Sequence, residues 1–69
     1  MNVQRDIGGS HCVITLRVGH YIDARKDVRH PGKSFIEVVH DGRVRHRCTV
    51  ADYDAPRFLI ELAKSLRMQ

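Results

Sequence analysis

The stretch SFIEVVHDGRVRHRCTV (residues 34–50), continued by ADYDAPRFLIELAKSL (51–66), decides the fold. Two alternating runs flank Asp41-Gly42, and an Asp-Gly pair between such runs is a strong hairpin signal. Behind the hairpin, Ala55, Phe58, Leu59, Leu62, Ala63 and Leu66 fall at i, i+3, i+4, i+7, i+8 and i+11. That spacing is one stripe of a helix. The sequence therefore predicts a β-hairpin over 34–50 and a helix from Asp54 to about Leu66. Asp54 is placed as the N-cap, with Pro56 in the first turn, where its missing N–H is harmless. Tyr53 and Phe58 occupy the positions of a hydrophobic staple. Lys64 and Arg67 crowd the C-terminal end, where the helix dipole favours cations.

Register follows from asking which turn keeps charge off the apolar face. A two-residue Asp41-Gly42 turn sets Ile36 and Val38 opposite Arg47 and Arg45. A three-residue loop, His40-Asp41-Gly42, a type I turn with a left-handed glycine bulge, instead pairs Val38 with Val44, Ile36 with His46 and Ser34 with Cys48. It leaves Phe35, Glu37 and Val39 opposite Arg47, Arg45 and Arg43 on the other face. The same test applies upstream, where Cys12, Ile14, Leu16 and Val18 alternate with Val13, Thr15 and Arg17. A three-residue turn, Gly19-His20-Tyr21, pairs Val18 with Ile22, Leu16 with Ala24 and Ile14 with Lys26, and sets Arg17 opposite Asp23. Residues 29–33 form a basic loop around Pro31-Gly32. The expected architecture is α+β: two β-hairpins form a four-stranded antiparallel sheet, and one C-terminal α-helix packs on one face. Residues 1–10 read as a flexible lead-in and 11–69 as a single ββββα domain.

Sixty-nine residues make one small core, so a homodimer or a partner is a natural source of added stability. The first residues lack a signal peptide's apolar core, and no run is long enough for a membrane span. The expected location is the cytoplasm, with no membrane partner. Twelve Lys and Arg against eight Asp and Glu give a formal charge of +4, which suits a polyanionic partner, nucleic acid first. In the register above, Arg43, Arg45 and Arg47 share the face away from the helix with Arg17 and Arg25, around Phe35 and Val39. Cations around an exposed aromatic suit a phosphate backbone and a base or sugar. Arg29 and Lys33 extend the basic surface into the loop. The same residues equally describe a solvated sheet face, or the docking face of a small phage- or plasmid-type inhibitor or adaptor that binds a host protein or ribonucleoprotein.

Strand, turn, basic strand, short link and helix over residues 34–66 resemble the arm-binding domains of phage integrases. There a three-stranded sheet enters the DNA major groove, and Phe35 matches that family's aromatic on the first of these strands. Gly9-Ser10-His11 at a strand entry, followed by a sheet and a C-terminal helix, is similar to the HicA-type messenger-RNA interferases. That resemblance implies a catalytic role for His11. Cys12, His46 and Cys48 share the predicted inner face, but spacing by two on a strand suits a tetrahedral metal poorly. No paired acids, nucleophile motif or phosphate loop is present. The reading is a basic binding protein rather than an enzyme, with no catalytic residue, metal or cofactor assigned.

Overall fold

The computed structural model describes the backbone of residues 3–5 and the whole of residues 11–68. Five strands run in chain order as an antiparallel meander: β1 (Val3–Arg5), β2 (His11–Arg17), β3 (His20–Lys26), β4 (Lys33–His40) and β5 (Arg43–Ala51). The helix α1 (Ala55–Arg67) follows and lies on one face. The two hairpins and the C-terminal helix are as the sequence predicts. The short strand β1, inside the predicted lead-in, extends the sheet beyond β2. Residues 6–10, including the Gly9-Ser10 of the interferase resemblance, lie outside the described residues. No described helix is long and apolar enough to cross a membrane.

Even-numbered residues build the inner face. Ile14, Ile22, Val38 and His46 form one cross-strand row, and Cys12, Ala24, Ile36 and Cys48 form the next. Ile22 and Ile36 are wholly buried, with Ala24, Val38 and Ala63 beside them. The predicted helix stripe faces this core, but Phe58, Leu59, Leu62 and Leu66 are only half-buried. Geometry gives the reason. A helix is roughly 10 Å wide, whereas strands spaced about 4.8 Å apart make this sheet about twice that width.

Both predicted turns are corrected, for the same physical reason. The second hairpin turns on two residues, Asp41 and Gly42, with φ of 53° and 77°. Val39 pairs with Val44 and His40 with Arg43, but Val38 pairs with His46. Arg45 is thus an extra residue, a β-bulge. It lets the short turn coexist with apolar pairing in the body of the strands, the conflict that a straight ladder resolves with a longer loop. The first hairpin repeats the device: Val18 and Gly19 form the turn, Arg17 pairs with His20, and the ladder shifts at Leu16 before Thr15 meets Tyr21. Ile14 therefore faces Ile22 rather than Lys26, and Arg17 does not face Asp23. Val18 and Val44 are solvent-exposed, not core.

The link into α1 also differs in detail. Asp54 holds the N-cap position with helical backbone angles, and its side chain makes no capping bond. Tyr53 is 86% exposed, so the staple to Phe58 does not form. Asp52 is the organising residue instead. Its carboxylate accepts from Ser34 Oγ at 2.6 Å and from Lys26 Nζ at 2.8 Å. Its own N–H donates to the Gly32 carbonyl at 2.9 Å.

Candidate nucleic-acid interface

A β-bulge flips every residue beyond it to the opposite face. On the unbulged ladder Arg17 and Arg43 belong with the outer face. The two bulges turn them to the helix side, where Arg17, His20, His40 and Arg43 form a continuous row across β2, β3, β4 and β5. The His20 and His40 rings lie 4.6 Å apart, tilted by 33°. The bulged Arg45 and its neighbour His46 complete the group. A pocket of about 600 Å³ opens here, lined by Arg17, His20, His40, Arg45 and His46, with Leu62, Ser65 and Leu66 of α1 as its wall. Its floor reaches Val38, which is 3% exposed.

The expected single face of arginines is therefore divided. Arg47 and Arg25 remain on the outer face, and there they meet acids. Arg25 stands 3.5 Å from Asp23 and 3.4 Å from Glu37, and Arg47 stands 3.6 Å from Glu37. Arg25 also lies over the Phe35 ring, 5.3 Å from its centroid, so that a cation already covers the ring. Two arginines against two carboxylates leave this face close to neutral. At the turn end, by contrast, neither Arg43 nor Arg45 meets a carboxylate among the described residues. The acid at this rim is Asp41, 3.7 Å from His40 Nε2. Burial, then His40 and Arg17, hold His20 below its ordinary pKa, with Asp41 opposing them.

Arg29 sits in the β3–β4 connection and Lys33 opens β4, both at the other end of the sheet. Seven residues of β3 separate the two ends, roughly 20 Å at strand rise. That loop is built on Asp27, which accepts from the Arg29 N–H and from His30 Nδ1, both at 3.0 Å. Burial raises the Asp27 pKa, and these hydrogen bonds more than offset it, so the carboxyl titrates below its usual range. The sequence thus gathers eight binding residues that the fold distributes over three places: Arg17, Arg43 and Arg45 at the turn end, Arg25, Phe35 and Arg47 on the outer face, Arg29 and Lys33 at the far end of the sheet.

His11 gains a partner that the sequence does not show: its Nε2 is hydrogen-bonded to Asp23 Oδ1 across the β2–β3 pair. A histidine oriented by a carboxylate has the makings of a general base. Asp23 is shared with Arg25. The missed members of the turn-end group, His20 and His40, carry no motif; only the cross-strand register brings them together. Cys12 and Cys48 are free and lie on β2 and β5 with two strands between them. Burial raises the Cys48 thiol pKa. Among the described residues no group of three or more His, Cys, Asp or Glu side chains is placed to hold a metal ion.

The chain is a small α+β protein with an exposed basic surface, as a small binding protein presents. Compared with models of known protein families, with curated proteins and with solved structures, it matches none.

Proposed function

We propose that this protein is a small nucleic-acid-binding module and that it grips the phosphate backbone with the turn end of its sheet. The observation that carries the reading is the segregation of charge: outer-face arginines are paired with Asp23 and Glu37, whereas Arg43 and Arg45 meet no carboxylate among the described residues. Fixed cations without internal acids are the ones that displace counterions from a polyanion, and this supplies most non-specific affinity.

Titrating a labelled single-stranded oligonucleotide by fluorescence anisotropy at several salt concentrations tests the reading. Affinity should fall by about 0.9 log units per log of salt for each duplex phosphate contact, and by roughly 0.7 on a single strand. Arg43→Ala with Arg45→Ala should weaken binding and flatten that slope by up to about two contacts. An unchanged slope in a folded double variant would refute it.

A second reading has an observation of its own. The outer face is close to charge-neutral, and Tyr21, Val39 and Val44 form an apolar row across it. Such a face suits a protein or nucleoprotein partner, as a phage- or plasmid-type inhibitor or adaptor would use. A partner bound there would be retained at high salt and lost in Tyr21→Ala.

A further inference from the structure

We propose that the turn-end pocket is a site for a terminal phosphate monoester, the phosphorylated end of a nucleic-acid strand or a free mononucleotide. The inference rests on the nucleic-acid reading for one source of that phosphate, but not for the chemistry of the site.

The pocket has a floor and one walled side. The sheet forms the floor down to buried Val38, and Leu62 and Leu66 of α1 close the helix side. Charge argues for an end rather than a passing chain. An internal diester carries one negative charge, whereas a monoester, with its second pKa near 6, carries about −1.5 to −2 at neutral pH. Two guanidinium groups, Arg17 and Arg45, and three imidazoles, His20, His40 and His46, line this recess without an acid among them. Guanidinium forks bind phosphate oxygens in pairs. Ser65 Oγ on the helix wall is a further donor.

His20 makes the site responsive to pH. His20 faces Arg17 on β2, His40 on β4 and Asp41 in the adjoining turn. Arg45 and His46 approach from β5, and α1 contributes the uncharged Leu62, Ser65 and Leu66. Lys64 and Arg67 lie in the same last turn of the helix and offset its carbonyl ends. Burial and the neighbouring cations disfavour the charged form of His20. A dianion in the pocket reverses that balance, so binding takes up protons and strengthens as the pH falls.

The test compares one oligonucleotide sequence with hydroxyls at both ends, with a 5′-phosphate and with a 3′-phosphate, at pH 6 and pH 8. A nucleoside monophosphate serves as the free-ligand arm, followed by isothermal titration. One phosphorylated end should bind about tenfold tighter than the hydroxyl form at pH 6, the step expected of roughly one added charge-assisted contact. The advantage should shrink at pH 8 and vanish in Arg17→Gln with Arg45→Gln, with folding checked by circular dichroism. Should that pair fail to fold, Ser65→Asp puts a repelling charge on an exposed helix position and should abolish the same advantage. Equal, salt-sensitive affinity for all three oligonucleotides overturns the inference and leaves the nucleic-acid reading standing. Binding of the monophosphate alone, lost in the same variants, supports the phosphate site and removes the nucleic-acid reading. Failure of every ligand to bind overturns both.

Discussion

The backbone N–H of Asp41 donates to the carbonyl of Gly19 at 2.8 Å and ties the two hairpin tips together. It continues the β3–β4 ladder one step past the His20–His40 pair. Gly19 has φ +74°, and a Cβ there would stand 3.1 Å from Asp41 Oδ1. Gly42 has a similar φ of +77° with open space around it. Gly19→Ala and Gly42→Ala share the left-handed penalty of roughly 1–3 kcal/mol, but only the former crowds the tip contact. Urea denaturation should show Gly19→Ala as the more destabilised of the two. Equal losses would mean that the Asp41 side chain moves aside without cost.

The core predicts a second ranking. Ile36 is wholly buried at the centre of the sheet, whereas Leu62 is half-buried on the helix. Ile36→Ala should cost about 2–5 kcal/mol, and Leu62→Ala should sit near or below the bottom of that range, because a half-exposed site leaves less of a cavity. Chemical denaturation of both variants would read the order directly; a reversed order would place the centre of packing on the helix rather than on the sheet.

Acid should loosen the link between sheet and helix. The Lys26 ammonium first, and the Ser34 hydroxyl second, hold the Asp52 carboxyl below the usual carboxylate range. A carboxylate depressed in the folded state contributes stability that is complete above the unfolded pKa. That contribution is lost as the pH falls through the folded value. Wild type should therefore lose melting temperature more steeply than Asp52→Asn below about pH 4. Asp27, depressed in the same direction, keeps some acid sensitivity in both. Parallel pH profiles would show that Asp52 is not coupled to folding.

Phe35 should matter little to nucleic acid. Arg25 already occupies one approach to its ring, and Glu37 holds Arg25 there. A base stacking on Phe35 would make Phe35→Ala cost about 1–3 kcal/mol of affinity. With the turn end as the binding surface, the variant should bind within about twofold of wild type, well under one tenfold step. A tenfold loss with the fold intact would return the interface to the outer face.

His11 offers a catalytic test. Incubated with single-stranded RNA, the protein should leave it intact, and His11→Ala should bind as wild type does. Cleavage that disappears in His11→Ala, and falls in Asp23→Asn, would make the hydrogen-bonded pair a working general base.

The face of each strand is legible in the sequence because side chains alternate with period two: Cys12, Ile14, Ile22, Ala24, Ile36, Val38 and Cys48 all have even numbers and all point inward. The helix is legible for the parallel reason at period 3.6. The turns are not, because a comparison of straight ladders forces a choice between the Asp41-Gly42 turn and an apolar Ile36–Val38 face. One extra residue, Arg45, satisfies both. The candidate site inherits that miss. Arg17, Arg43 and Arg45 are visible as binding candidates, but their destination depends on two single-residue bulges, and nothing in residue type marks where a bulge falls. The strand Val3–Arg5 is hidden by its shortness, three residues being too few to show an alternating pattern.

The order of strands in this sheet is the order of the chain, from first edge to last. Each strand after β1 therefore meets its forerunner across a connection of a few residues, and no crossover has to close over a formed structure. Loop-closure entropy is small at every step, and low contact order goes with fast folding. The chain can zip outward from either tight turn, so we expect single-exponential refolding in milliseconds or less, read by stopped-flow fluorescence of Tyr21 and Tyr53. A meander of this kind can also fray from its outer edge inward without unravelling its centre. Hydrogen exchange should accordingly be slowest at Ile22 and Ile36 and fastest toward the open edge of β5, the strand that carries Arg43, Arg45 and Arg47.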